Sequence, residues 1–193
     1  MLFRSLIWPT SRDAAAAKAV RREPLALSHA KPLSWVEAGW PPGRTTTALT
    51  GHILRESGVP VQVGGNIGTP PASMVKTSRV GQWNVLELSS FQLETIESFR
   101  AHIGGALNVT PDHLDRHGTM ENYAAAKGRL FVNQTASDFK VLNADDAICQ
   151  RYAALGRGSS VWFSSTREVS PGAFLSGGEI VLNGTPDRKS TRL

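Results

Sequence analysis

Trp83-Asn84-Val85-Leu86-Glu87-Leu88 is followed by Ile103-Gly104-Gly105-Ala106-Leu107-Asn108-Val109 and then by Phe139-Lys140-Val141-Leu142-Asn143. Each is a short, largely apolar run of the kind shown by a strand covered on both faces. Between the first two, Ser89 to Glu94 reads as a loop running into a helix. Between the second and third, Met120 to Val132 places Tyr123, Lys127, Leu130 and Phe131 three or four residues apart, the period of one helical face. Strands alternating with helices predict an α/β fold, with a mainly parallel sheet and helices on both faces.

The same alternation extends outward. Thr45 onward predicts a helix with Leu49, Ile53 and Leu54 on one face, closed by Gly58. Val59 to Val63 reads as a strand, and Gly64 to Pro70 as a glycine-rich turn. Downstream, Asp145 to Leu155 reads as a helix and Ser160 to Phe163 as a strand. Ala173-Phe174-Leu175 and Glu179-Ile180-Val181-Leu182 form a C-terminal β-hairpin turned by Gly177-Gly178. The N-terminal stretch is of another kind. Ser11 to Arg22 predicts a short helix, and Glu23 to Pro42, broken by four prolines, holds at most a short strand at Leu33–Val36.

Composition excludes several classes. The chain has 193 residues, 40% apolar and 19% charged, ordinary for a soluble globular protein. Its apolar runs are too short for a transmembrane helix, so no membrane association is expected. One cysteine, Cys149, excludes an internal disulfide and fits a cytoplasmic location. The net charge of +5 is dispersed, with basic residues gathered at the two ends, and no basic stripe interleaved with aromatics suggests nucleic acid. A phosphorylated small molecule would use such charge locally.

In open α/β sheets ligands collect at the carboxyl ends of strands, and four groups of residues lie at such ends or at helix starts. Gly43-Arg44-Thr45-Thr46 opens the first long helix. Thr45 or Thr46 could offer a hydroxyl to a metal-bound phosphate, with Arg44 where a phosphate-binding lysine belongs. Pro41 and Pro42 have no N–H to offer, and a plain proline turn before a helix explains this stretch equally. Glu87, with Ser89 and Ser90 beyond it, is a carboxylate beside hydroxyls that suits Mg²⁺, or a surface carboxylate beside a capping serine. Asp112, His113 and Asp115 suit a metal or acid–base chemistry, or an Asx turn with a solvated histidine. Lys127 reads from periodicity alone as a surface lysine.

Taken together, Leu86-Glu87-Leu88-Ser89-Ser90-Phe91-Gln92-Leu93-Glu94, Leu107 to His117, Tyr123-Ala124-Ala125-Ala126-Lys127 and Asn143-Ala144-Asp145-Asp146 resemble the Mur ligase family in order and spacing. Gly64-Gly65-Asn66-Ile67-Gly68 matches as well. The form SSFQLE most resembles the branch that adds D-glutamate to UDP-N-acetylmuramoyl-L-alanine, and argues against the related folylpolyglutamate synthases. The resemblance runs from about Thr45 to Asn183. It implies the P-loop-like central domain of the family, ATP and Mg²⁺ as cofactors, UDP-N-acetylmuramoyl-L-alanine and D-glutamate as substrates, a cytoplasmic monomer, and an acyl-phosphate intermediate in peptidoglycan precursor synthesis. By resemblance, Glu87 and His113 are Mg²⁺ ligands and Lys127 is a carbamylated lysine helping to hold a second Mg²⁺. Asn66, Ser89 and Gln92 position the muramoyl substrate, while Gly43, Arg44, Thr45 and Thr46 belong to the phosphate loop, with a Thr45 hydroxyl on the metal.

The sequence departs from the family at three places. Gly39-Trp40-Pro41-Pro42-Gly43-Arg44 stands where the family has GTNGK. Residues 1–38 do not resemble the family's uridine-binding domain. Beyond Asn183 nothing corresponds to the family's later segments. The expected organisation is an atypical segment at 1–38, a partial central domain at 39–185 and an unstructured tail at 186–193. The expected chain is a fragment whose own catalytic activity is absent, with a shift of reading frame upstream of Thr45 as the simplest origin.

Overall fold

The computed structural model describes Leu6–Pro9 and residues 42–183. The expected helix at Ser11–Arg22, the short strand at Leu33–Val36, the domain boundary near residue 39 and the tail from 186 lie outside the described residues. Among the described residues the strands are β1 (Leu6–Pro9), β2 (Val61–Gly65), β3 (Trp83–Glu87), β4 (Ile103–Ala106), β5 (Phe139–Asn143), β6 (Ser159–Ser164), β7 (Gly172–Ser176) and β8 (Glu179–Asn183). They form one sheet in the order β2-β3-β1-β4-β5-β6-β7-β8.

The pairs β2–β3, β4–β5, β5–β6 and β6–β7 are parallel, as the alternation of strands and helices requires. The hairpin β7–β8 is antiparallel, turned by Gly177 and Gly178 at φ 57° and 83°. Positive φ at both turn positions is the backbone of a type I′ turn, where glycine costs nothing. One pairing lies beyond the alternation rule. β1 runs antiparallel between β3 and β4, with Ile7 in register with both Val85 and Ile103. Four residues are too few to carry a readable period, so this strand has no signature in the sequence.

Helices cover both faces. α1 (Pro42–Glu56) packs at Gly51 on Val63, whose sheet partner is Val85. The neighbouring register row, Gly64 with Leu86, faces the other way, and there Met74 of α2 (Pro71–Met74) abuts Gly64. α5 (Met120–Val132) lies on that second face too, with Phe131 and Leu130 against Gly104 of β4. The main core is formed here by Leu86, Leu93, Ala106, Leu130, Phe131, Leu142, Cys149 and Tyr152. Burying a Leu or Phe side chain of this kind contributes about 1.5–3 kcal/mol.

Several expected elements are shorter in the structure. The strand predicted to reach Val109 ends at Ala106, because the carbonyl of Leu107 accepts from Asn143 Nδ2 (2.7 Å) and the N–H of Val109 donates to Asp146 Oδ2 (2.9 Å). The helix expected over Asp145–Leu155 begins only at Ala147, since the Asp146 side chain caps it through Ile148 and Cys149. This helix, α6 (Ala147–Arg151), tightens to a 3₁₀ turn at Tyr152–Ala154.

Lys140 on β5 is 1% exposed, and its Nζ donates to the carbonyl of Ala153 at 2.6 Å. Burial lowers its pKa. A base whose folded pKa is depressed costs the folded state stability at neutral pH, and the cost fades as pH rises past the folded pKa. Lys140→Met keeps the length of the side chain and removes the desolvated charge, at the loss of one hydrogen bond. It is expected to stay within about 1 kcal/mol of wild type at pH 7 and to compare less favourably at pH 10. Urea unfolding at the two pH values measures both.

Candidate functional site

The carboxyl ends of β2 and β3 are locked together by backbone. Gly65, the last residue of β2, sits at φ 120°, and a Cβ there would lie 2.0 Å from the carbonyl oxygen of Glu87. This close approach lets the next N–H, that of Asn66, donate to the same oxygen at 2.6 Å. Asn66 and Glu87, far apart in sequence, are thereby neighbours on the sheet edge. The Asn66 side chain is exposed, while Glu87 Oε2 is buried without a hydrogen-bond partner.

Two residues after Glu87 the chain enters α3 (Ser90–Glu94) through a complete capping box. Gln92 N–H donates to Ser89 Oγ at 3.3 Å, and Ser89 N–H donates to Gln92 Oε1 at 2.9 Å. Both residues expected to meet substrate therefore first fix each other. Gln92 spends its carbonyl on the cap, in which its amide nitrogen takes no part.

Beyond β4 the segment from Leu107 to Val109 is tied down by Asn143 and Asp146, as above. Asn108 Oδ1 is buried without a partner. Further on, the Asp112 carboxylate accepts from the N–H of the next residue, His113, at 2.9 Å, one residue nearer than the contact of an Asx turn. Asp112 Oδ2 lies 3.4 Å from His113 Nε2. His113 has φ 51° and ψ 32° and is the one non-glycine residue with positive φ among the described residues. Strain of this sort costs roughly 1–3 kcal/mol and gathers at functional positions. The residue caps α4 (Leu114–His117), a single turn that carries no sequence period.

Lys127 departs from the surface position that periodicity suggests. It is 3% exposed, and its Nζ lies over the ring of Tyr123, 4.7 Å from the centroid. Its charge reaches Cys149, whose thiol burial and the nearby Asp146 push up. Thr45 and Thr46 are half-buried in the first turns of α1, and Arg44 there is exposed. Among the described residues no three His, Cys, Asp or Glu side chains converge on one point.

Three contributors have no role assigned by sequence reasoning: Asp146, which anchors the Val109 leg; His117, stacked on Phe91; and Asn108. The Asn143–Asp146 run carries part of the resemblance, yet its roles appear only in three dimensions. Asp145 accepts from Ser164 Oγ at 2.7 Å, Thr166 Oγ1 at 2.7 Å and Ser165 N–H at 2.7 Å. These bonds hold its carboxyl well below the usual carboxylate range.

The Mur ligase middle domain is matched over residues 43–175. The chain belongs to the Mur ligase family. A UDP-N-acetylmuramoylalanine–D-glutamate ligase of Solibacter usitatus is 67% identical over 140 residues, covering 72% of this chain and 32% of that one. The enzyme of the same name from Koribacter versatilis is 53% identical over 131 residues, covering 68% of this chain and 29% of that one. A crystal structure of MurF from Acinetobacter baumannii aligns with TM-score 0.40 at 13% identity, covering 79% of this chain and 42% of that one. The chain thus spans about a third of the length of the curated relatives it matches. The Mur ligase match opens inside the first turn of α1 and closes at the end of β7, so every candidate residue from Gly43 to Lys127 falls within it.

Proposed function

We propose that this Mur ligase domain serves the addition of D-glutamate to UDP-N-acetylmuramoyl-L-alanine, with ATP and Mg²⁺, through an acyl phosphate. The observation that carries the proposal is the sheet edge itself. Glu87 Oε2 and Asn108 Oδ1 are oxygen acceptors buried without partners at the ends of β3 and β4. A buried lone pair that lacks a donor costs about 1–3 kcal/mol unless something occupies it. A hard cation takes oxygen ligands of this sort, so the residues present fit Mg²⁺.

In this reading Glu87 and His113 hold the cation, and Lys127, as a carbamate, adds a further carboxylate. Bound Mg²⁺ would offset the repulsion between a carboxylate nucleophile and a polyphosphate. The chain's own residues position. Thr45 and Thr46 present hydroxyls from the first turns of α1. Asn66, exposed beside Glu87, and the Gln92 amide meet the muramoyl end. Holding these groups on strand ends and a capped helix fixes reactants at little entropic cost during reaction. The substrates place the work in the cytoplasm.

A second reading has its own observation. α1 begins at Pro42, which offers no N–H to a phosphate, and Arg44 is exposed in its first turn. A phosphate cradle built this way is weak, and the chain would then retain the fold and the cation site without turnover.

Two measurements decide. Mn²⁺ as a probe of the Mg²⁺ site, followed by electron paramagnetic resonance, is expected to bind the wild-type chain at least tenfold more tightly than Glu87→Gln. Phosphate release from ATP that requires both UDP-N-acetylmuramoyl-L-alanine and D-glutamate would establish the ligase reading for this chain. Mn²⁺ binding without release would favour the second. Mn²⁺ binding equal in wild type and Glu87→Gln would refute the assignment of the edge.

A further inference from the structure

A buried histidine that has no role in the proposed reaction sits between two residues that do. His117, 7% exposed, closes α4. Its Nδ1 lies 3.0 Å from Glu94 Oε1 and its Nε2 lies 3.0 Å from Ser90 Oγ. A carboxylate only accepts, so the ring proton on that side belongs to Nδ1, and in the neutral ring Nε2 accepts from the Ser90 hydroxyl. The carbonyl of His117 is also engaged, by Asn122 Nδ2 at 3.0 Å. Serine, histidine and carboxylate in this order make a nucleophilic triad in hydrolases. Here Ser90 is 2% exposed, so no substrate reaches the hydroxyl. The chain of bonds holds the ring still instead.

What the still ring supports is a continuous run of ring contacts. One face of His117 stacks on Phe91 at 5.6 Å and 12° between planes, and Phe91 in turn packs against His113 at 5.0 Å. His117 also packs against Tyr123 at 5.1 Å, and Tyr123 carries the Lys127 ammonium over its ring. We infer that His117 is a positioning residue: it sets the distance and orientation of His113 and Lys127 relative to each other through Phe91 and Tyr123. The inference deepens the proposed function, on which it rests for the roles of His113 and Lys127. Acting in series, such ring contacts favour one arrangement of the two side chains at the ends of the run.

The test reads geometry first and metal second. In metal-free full-length chain, ¹H–¹³C spectra report the ring signals of His113 and the ε-methylene of Lys127, both displaced by the neighbouring rings. His117→Gln, which removes the ring and keeps a polar side chain, is expected to move both signals towards their free-peptide positions. Ser90→Ala removes one hydrogen bond, Glu94→Gln replaces a charged acceptor by a neutral one, and both keep the ring. They are expected to change the Nδ1–H tautomer signature of His117 and to shift His113 by less. Should His117→Gln fail to fold, these two variants carry the test. His113 and Lys127 signals unchanged in every folded variant would overturn the inference. Mn²⁺ broadening of His113 is then expected to need at least tenfold more metal in His117→Gln. Absence of Mn²⁺ broadening in wild type would sink the proposed metal role while leaving the ring shifts to decide the positioning role.

Discussion

Gly65→Ala is expected to destabilise the chain by about 3 kcal/mol or more and to abolish binding of Mn²⁺ at the sheet edge. Two costs combine. The backbone at φ 120° lies outside the regions open to a residue with a Cβ, which by itself costs roughly 1–3 kcal/mol. The new Cβ would also sit 2.0 Å from the Glu87 carbonyl oxygen and 2.7 Å from its nitrogen, and neither is a side chain that can swing aside. Relief requires β2 to part from β3 at the Gly65–Glu87 pair, which breaks the bond from the Asn66 N–H and moves the two residues expected to face substrate and metal. Gly68→Ala provides the comparison. Gly68 also has positive φ, 63°, but open space where its Cβ would stand. Only the conformational cost of about 1 kcal/mol applies there. Equilibrium unfolding of the two variants side by side tests the argument, and similar losses in both would show that the contact with Glu87 does not matter.

Much of this architecture is legible before any coordinates. α5 spans Met120–Val132 as its period predicts, because Tyr123, Leu130 and Phe131 form one apolar stripe long enough to read. β5 and the hairpin turn follow from local composition in the same way. What stays hidden is of two kinds. Single-turn elements such as α2 and α4 have no period, and their existence depends on a proline start or on the left-handed His113. The other kind is competition by side chains for backbone groups. Asn143 and Asp146 take the Leu107 carbonyl and the Val109 N–H and so end β4 early, a contact made across more than thirty residues.

The site divides along the same line. Glu87, Ser89, Gln92 and His113 are readable as residues at strand and helix ends, and the resemblance adds Asn66 and Lys127. Their burial and support are not readable. Period alone puts Lys127 at the surface, whereas the structure seats its ammonium on Tyr123 inside the core. His117 lies in a stretch that carries the resemblance, but its role has no sequence signal, since it comes from Glu94, Ser90 and two rings that meet only in the fold.

Asp138 is the second place where a single change is expected to weigh heavily, and it stands at the opposite end of the sheet from the candidate site. Its carboxylate is fully buried yet has a partner on every side. It accepts from Thr135 N–H at 2.7 Å and Thr135 Oγ1 at 2.9 Å, lies 2.9 Å from His102 Nδ1 and pairs with Arg100 Nε at 3.2 Å. Burial alone would raise its pKa, but these bonds and the Arg100 charge outweigh it and hold the carboxyl below its ordinary value. Through them one side chain joins the turn before β5 to the residues that lead into β4. Asp138→Ala removes the acceptor and leaves the donors of Thr135 and the charge of Arg100 facing a gap, so a loss of about 3–4 kcal/mol is expected. For a chain of this size that is a fall of roughly 6–15 °C in melting temperature. Asp138→Asn keeps the shape and some of the bonds and should lose about half as much. The pH dependence follows from the depressed folded pKa. The charged form is favoured by folding, so its contribution is complete above the unfolded value near pH 4 and is lost as pH falls through the folded pKa. The advantage of wild type over Asp138→Ala should therefore be present at pH 5 to 7 and shrink below about pH 4. A gap that stays the same down to pH 2 would mean that the cavity left by the side chain, rather than its charge, accounts for the loss.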